Sequence, residues 1–201
     1  MSAETKLILA SGSPFRKQLM EAAGLTFDAE PARIDEREIE APLILCGAAP
    51  DVVAAALAKA KAQDVANRNT QAYVIGSDQV MSMDGRLFHK CTSVEMAREQ
   101  LWSMRGKTHR LSSAISIVRQ GEEVWNHVSI ADLTFRDFTE TFLDSYIANA
   151  GSKVLLTVGA YSYEGLGQQL FEKVEGDFFT IIGLPMLPLL AALRYLAIIP
   201  R

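Results

Sequence analysis

Short apolar runs alternate with stretches of helical periodicity along this chain. Lys6–Ala10 is a compact apolar run that predicts a strand. Ser13 is placed to cap a helix with Pro14 at its first position, and Gly24 to end it. Pro50 opens an alanine-rich helix reaching about Ala66. Tyr73–Met83 is strand-like, and Asp84-Gly85 is a two-residue hairpin signal leading into Arg86–Lys90. Thr92 and Glu95 form a capping-box pattern for a helix with the apolar stripe Val94, Ala97, Leu101, Met104, stopped by Gly106. A second hairpin is predicted from Leu111–Val118, a turn at Gln120-Gly121, and Glu123–Ile130; a further strand is expected at Ala131–Phe135. A helix from Glu140 to about Ala148, a strand at Val154–Val158, a glycine-rich loop and a closing helix after Pro188 complete the pattern. Hairpins mixed with strand–helix units predict an α/β fold built on a mixed, twisted sheet flanked by helices. No internal repeat or linker divides the 201 residues, so one domain is expected over 1–201.

Composition narrows the function. With 20 Lys+Arg against 24 Asp+Glu, the net charge of −4 excludes a general binder of polymeric nucleic acid, which needs a basic excess. A phosphate ligand would have to meet a local group of cations, with a metal ion helping. Two cysteines, Cys46 and Cys91, provide no disulfide framework, and the start lacks a basic segment before a long apolar one, so a cytoplasmic location is expected. Ile181–Ile199 is strongly apolar, but Gly183, Pro185, Pro188 and Arg194 interrupt it, which predicts a buried helix and no membrane partner.

Three segments carry candidate chemistry. In LILASGSPFRK, a strand runs into a helix N-terminus whose free N–H groups and dipole suit an anion. Ser11 and Ser13 add hydroxyls, and Arg16 and Lys17 put two cations in a first turn where the dipole disfavours them. A capped helix with two solvated basic residues is the alternative. In YVIGSDQVM, Asp78 interrupts an apolar strand and needs a partner. That partner is either Mg²⁺, which takes one or two carboxylates plus substrate phosphate, or a lysine or arginine. Asp35-Glu36 lies in a stretch of six carboxylates, Asp28 to Glu40, set against Arg33 and Arg37; by itself it reads as a solvated charge run. Lys61, a helical turn from Leu57, either snorkels from the core or points its ammonium into a cleft. His89, His109 and His127 have no metal-binding spacing, and no serine–histidine–aspartate arrangement suggests a covalent nucleophile.

LILASGSPFRKQLM, IDE at 34–36, LAKAKA at 57–62, IGSDQV at 75–80, HK at 89–90 and GAYSYEGLGQQLFEKVEGDFFTIIGLP at 159–185 together resemble the Maf family of nucleotide pyrophosphatases. The resemblance implies two lobes around a deep cleft, in a fold related to the inosine triphosphate pyrophosphatases. It also implies hydrolysis of a nucleoside triphosphate to the monophosphate and pyrophosphate with a divalent cation, Mg²⁺ or Mn²⁺, in a homodimer. Carried over by motif, Ser11, Ser13, Arg16, Lys17, Lys61 and Lys90 would bind the phosphates, Glu36 and Asp78 the metal, and Asp78 would accept the proton. Lys17 stands where an arginine is common. The segment His89-Lys90-Cys91 departs from the family's usual glycine-lysine-proline, and RLSSAIS lacks its threonine-glycine pair.

Phe15, Gln79 and Glu164 occupy the positions that track substrate preference, and they resemble the 7-methyl-GTP branch rather than the dTTP/UTP branch. A glutamate can accept from the N1–H and amine of guanine, and an aromatic face suits a cationic methylated base. A dTTP/UTP or broad pyrophosphatase, and a non-catalytic nucleotide-binding regulator of septum formation, are the alternatives.

Overall fold

The computed structural model describes residues 6–201; residues 1–5, on which part of the leader argument rests, lie outside them. Seven strands form one mixed sheet, β1 Leu7–Leu9, β2 Asp28–Ala29, β3 Tyr73–Met83, β4 Arg86–Phe88, β5 Thr108–Arg119, β6 Glu122–Phe135 and β7 Phe171–Glu175. They are bonded in the order β2-β1-β3-β5-β6-β7, with β4 on β3. The helices are α1 Pro14–Ala22, α2 Glu36–Leu45, α3 Pro50–Arg68, α4 Val94–Met104, α5 Glu140–Ala150, α6 Phe178–Ile182 and α7 Met186–Tyr195. The chain divides into two compact units: one holds the chain through Gln79 with Ser112–Ser129 and Phe178–Arg201, the other Val80–Leu111 with Ile130–Asp177.

In the first unit, β1 pairs in parallel with both β2 and β3 and is buried on both faces, which is why LIL is unbroken by polar residues. Leu7 and Leu9 join Ile75, Ile117 and the α7 residues Leu189 and Leu193 on one side; Ile8 and Ala10 join Ala62, Val65 and Val74 on the other. The alanines of α3 allow close approach. A β-carbon at Gly76 would stand 2.0 Å from the Ala58 carbonyl and 2.6 Å from the Ala62 nitrogen, so only glycine lets β3 lie this near α3. That contact matters for the site, because Asp78 lies two residues beyond Gly76 on β3 and Lys61 immediately precedes Ala62 on α3.

The second unit packs α4 and α5 with the remaining strand segments around an aromatic core. His109, Phe135, Tyr161 and Phe171 interlock with ring centroids 4.9 to 6.2 Å apart. His109 Nε2 and the Tyr161 hydroxyl are 2.7 Å apart, while His109 Nδ1 is buried without a partner. Burial pushes the imidazole down to about 4 and the Tyr161 phenol up. Unfolded, the histidine takes up a proton near pH 6.5, so stability is complete above that pH and drains away as pH falls toward 4. Moving from pH 7 to 5 should therefore cost about 2 kcal/mol in wild type beyond the loss in His109→Gln, read from denaturant unfolding at both pH values. Equal losses in the two proteins would show that His109 titrates normally.

Five sequence expectations change. Ser93, not Thr92, caps α4: its hydroxyl accepts from the Met96 N–H, shifting the capping pattern by one residue. The strands expected at Glu123–Ile130 and Ala131–Phe135 are one 14-residue strand, β6, since no glycine or proline interrupts them. Val154–Val158 is not a strand. Gly151–Leu155 wind into a 3-10 turn, only Val154 of the run is fully buried, and the sheet position beside β6 is taken by β7. A five-residue apolar run does not distinguish the two states. The closing helix starts at Met186, so Pro188 lies in its first turn, where its missing N–H costs nothing. Finally, α2 forms from the acidic stretch, capped by Asp35, whose carboxylate accepts from the Arg37 N–H. Among the described residues no helix is long and apolar enough to cross a membrane.

Candidate active site

The first unit assembles a compact group of charges at the C-terminal end of β1 and the middle of β3. Ser13 caps α1 by accepting from the Arg16 N–H, as its position before Pro14 requires. Ser11 Oγ accepts from the Ser13 N–H at 3.2 Å and from Arg16 Nη1 at 3.4 Å. The α1 start therefore aims Arg16 back over the β1 end. Its guanidinium is then pinned to two backbone carbonyls, with Nε donating to Gly183 at 2.9 Å and Nη1 to Ser77 at 2.7 Å. Burial lowers the Arg16 pKa from its ordinary value, and the nearby Asp78 and Glu36 carboxylates push back up. The cation is thus held by design of the fold rather than by solvation.

Asp78 is buried, and Lys61 Nζ lies 2.5 Å from its Oδ1 and 2.8 Å from Glu36 Oε1. The lysine is only 12% exposed, so its ammonium sits inside the group rather than in solvent. Of the two partners open to Asp78 from sequence, the structure displays a lysine. Glu36 stays exposed, as a member of its charge run, yet reaches from the first turn of α2 to that same ammonium. Two carboxylates thus converge on one cation position.

Lys17 turns outward and pairs with Glu21, 3.6 Å away on the same helix, so α1 delivers only one of its two cations to the group. Phe15 is half-buried beside it. Gln79 follows Asp78 but points to the opposite face of β3, where its amide nitrogen lies 2.9 Å from Ser113 Oγ and 3.0 Å from the carbonyls of Thr180 and Ile181. Lys90 and Glu164 belong to the second unit and are both exposed; Glu164 Oε1 accepts from Ser162 Oγ at 2.5 Å. Sequence reasoning misses Ser77, Ser113 and Gly183, which hold the group from behind. Ser77 adjoins the signal at Asp78, but the carbonyls it and Gly183 supply carry no side-chain signature.

Arg16 and Lys61 against Asp78 and Glu36 leave this group electrically neutral. A polyphosphate would add several negative charges to it. Among the described residues no group of three or more histidines, cysteines and carboxylates could hold a metal by itself. Two carboxylates on one point do fit a Mg²⁺-type ion that completes its shell with substrate phosphate and water.

A unit whose parallel strands β2, β1 and β3 carry a charge group at the end of β1 has the layout in which α/β proteins place their ligand sites, beyond the strand ends. The chain belongs to the Maf family: residues 6–196 match the family described as Maf-like protein. It is 57% identical to the 7-methyl-GTP pyrophosphatase of Rhizobium etli over 194 residues, covering 96% of this chain and 98% of that one. The 7-methyl-GTP pyrophosphatase of Brucella abortus is 53% identical, with 94% and 95% covered. A nucleoside triphosphate pyrophosphatase of Paramagnetospirillum magneticum is 47% identical, with 93% and 96% covered. Among solved structures, a nucleoside-triphosphatase described as a dITP/XTP pyrophosphatase from Mycobacterium abscessus aligns over 98% of each chain at 13% identity and a TM-score of 0.44, too slight a likeness to argue from.

Proposed function

We propose that this protein is a nucleoside triphosphate pyrophosphatase that cleaves a modified guanine nucleotide of the 7-methyl-GTP type to the monophosphate and pyrophosphate. The observation that carries the reading is the convergence of Glu36, Lys61 and Asp78 beside the pinned guanidinium of Arg16. The reading is further supported by the names of relatives that share about half of their residues with this chain over nearly its whole length.

Water attacks phosphorus in line with the α–β anhydride; the new O–P bond forms, the bridging P–O bond breaks, and pyrophosphate leaves. Asp78 orients the water and takes its proton, as a general base within reach of the phosphate. Arg16 and Lys61 bind the phosphate oxygens and offset the charge that gathers on the leaving pyrophosphate, with Lys90 as the third cation in this role. Ser11 and Ser13 contribute hydroxyl and backbone donors at the α1 start. Lys61 changes partners in this scheme: free, it neutralises two carboxylates; with substrate, it turns to a phosphate oxygen. Glu36 and Asp78 would hold a divalent cation, Mg²⁺ or Mn²⁺, which supplies charge neutralisation and a more acidic water.

Base choice is assigned to Phe15 and Glu164. The glutamate accepts from N1–H and the exocyclic amine of guanine, and the phenyl face attracts a methylated, cationic base by roughly 0.5–2 kcal/mol. A panel of 7-methyl-GTP, GTP, UTP and dTTP, scored by pyrophosphate release with Mg²⁺ or Mn²⁺, tests the reading directly. Wild type should favour 7-methyl-GTP, and Glu164→Gln should move the ranking toward the pyrimidines. An unchanged ranking would remove Glu164 from base recognition, and no release from any nucleotide would leave a binding protein rather than an enzyme.

A further inference from the structure

Behind the charge group, on the opposite face of β3, a second polar network joins β3, β5 and the end of α6. The last carbonyls of a helix have no partners within it and must find donors elsewhere. Here the Thr180 carbonyl accepts from Ser113 Oγ at 2.8 Å and from the Gln79 amide, and the Ile181 carbonyl accepts from the Gln79 amide too. The Gly183 carbonyl accepts from Ser77 Oγ at 3.0 Å and from Arg16 Nε at 2.9 Å. Gly183 has a φ of +98°, and its own N–H donates back to the Phe179 and Thr180 carbonyls, so the turn is bonded directly to the helix end that Gln79 holds. A β-carbon on Gly183 would stand 3.5 Å from both Arg16 Nη2 and the Gln79 amide. Guanidinium, amide and turn are therefore packed on one another.

Hydrogen count gives this arrangement its meaning. The Gln79 amide offers two hydrogens to three acceptors, all belonging to the network, so its donors are spent inside the protein. Arg16 spends Nε and Nη1 on Gly183, Ser77 and Ser11, and none of these bonds uses Nη2. Two of the three guanidinium nitrogens are thus fixed to the frame, and Nη2, which lies between them against the Gly183 turn, is the nitrogen these bonds leave for a phosphate oxygen.

We propose that Gln79 and Ser113, working through the α6 carbonyls and the Gly183 turn, are positioning residues that aim the Arg16 guanidinium at the polyphosphate. The proposal rests on Arg16 as a phosphate-binding cation. It gives Gln79 a base-independent role, set by what its amide holds rather than by a bond to the base.

Inorganic tripolyphosphate, which has no base, separates the two kinds of role. Gln79→Ala and Ser113→Ala should each weaken its binding in Mg²⁺ by about tenfold, as expected when the end of α6 loses one of its donors and the turn relaxes. The kcat/KM values for 7-methyl-GTP, GTP and UTP should fall by one common factor, and Ser113→Thr, which keeps the hydroxyl, should restore them. The position of Arg16 itself is read from its Nε–H in ¹⁵N–¹H spectra, assigned by the signal lost in Arg16→Lys; solvent exchange should quicken in both alanine variants. If Gln79→Ala does not fold, the Ser113 pair carries the test. Unchanged tripolyphosphate affinity with a shift only in base ranking, or an Arg16 Nε–H that exchanges as in wild type, overturns the proposal. A wild type that hydrolyses no nucleotide and binds no tripolyphosphate would instead overturn the phosphate-site reading on which it stands.

Discussion

Replacing Asp78 by asparagine is expected to reduce pyrophosphate release by about 10²–10⁴-fold, the usual contribution of a positioned general base, while the protein stays folded. The amide keeps the size and one acceptor of the carboxylate but can neither take a proton at neutral pH nor carry the charge that a divalent cation needs. Lys61 loses its nearest carboxylate at 2.5 Å and retains Glu36 at 2.8 Å, so the buried ammonium is not stranded. The unfolding temperature should accordingly change by only about 2–4 °C, the equivalent of ~1 kcal/mol in a protein of this size. Pyrophosphate release and a thermal melt on the same preparation check both halves. A folded variant that releases pyrophosphate at the wild-type rate would remove Asp78 from the chemistry.

Arg16→Ala should be nearly as damaging, for a different reason. The variant loses a directional cation at the point where charge develops, worth about 10³-fold in comparable transition-state donors. It also leaves the Ser77 carbonyl without the donor now 2.7 Å away, whereas the Gly183 carbonyl keeps Ser77 Oγ. That orphaned carbonyl should destabilise the fold by about 1–3 kcal/mol. Arg16→Lys separates charge from shape: an ammonium restores the charge but, as a compact point, lacks the planar fork whose separate nitrogens reach the Gly183 and Ser77 carbonyls. Its kcat/KM should fall between wild type and Arg16→Ala, measured on the same nucleotide. A lysine variant equal to wild type would mean that only the charge of Arg16 counts.

Where local chemistry dictates local structure, a few neighbouring residues are enough to identify an element. Ser13-Pro14 starts α1, Pro50 starts α3, and Asp84-Gly85 turns β3 into β4, because capping, proline geometry and positive φ act over short stretches of chain. The errors fall where the deciding partner is distant. VLLTV at 154–158 has strand composition, yet Phe171–Glu175 takes the place beside β6. The acidic stretch around Glu36 is exposed, as a solvated charge run should be, but nothing in it tells that α2 carries Glu36 to Lys61.

The site divides in the same way. Residue types and motif order alone pick out Ser11, Arg16, Lys61 and Asp78, since a buried aspartate and a cation at a helix N-terminus are costly enough to demand a reason wherever they occur. Sequence could not decide that Lys17, next to Arg16, turns away to Glu21, nor that Gln79 spends its amide on α6. Those outcomes depend on which face of an element meets which neighbour, and on backbone carbonyls that every residue possesses. Composition and periodicity thus determine which groups are present and which elements carry them; only tertiary packing, through contacts 60 to 170 positions apart such as Arg16 with Ser77 and Gly183, decides which charges share a space.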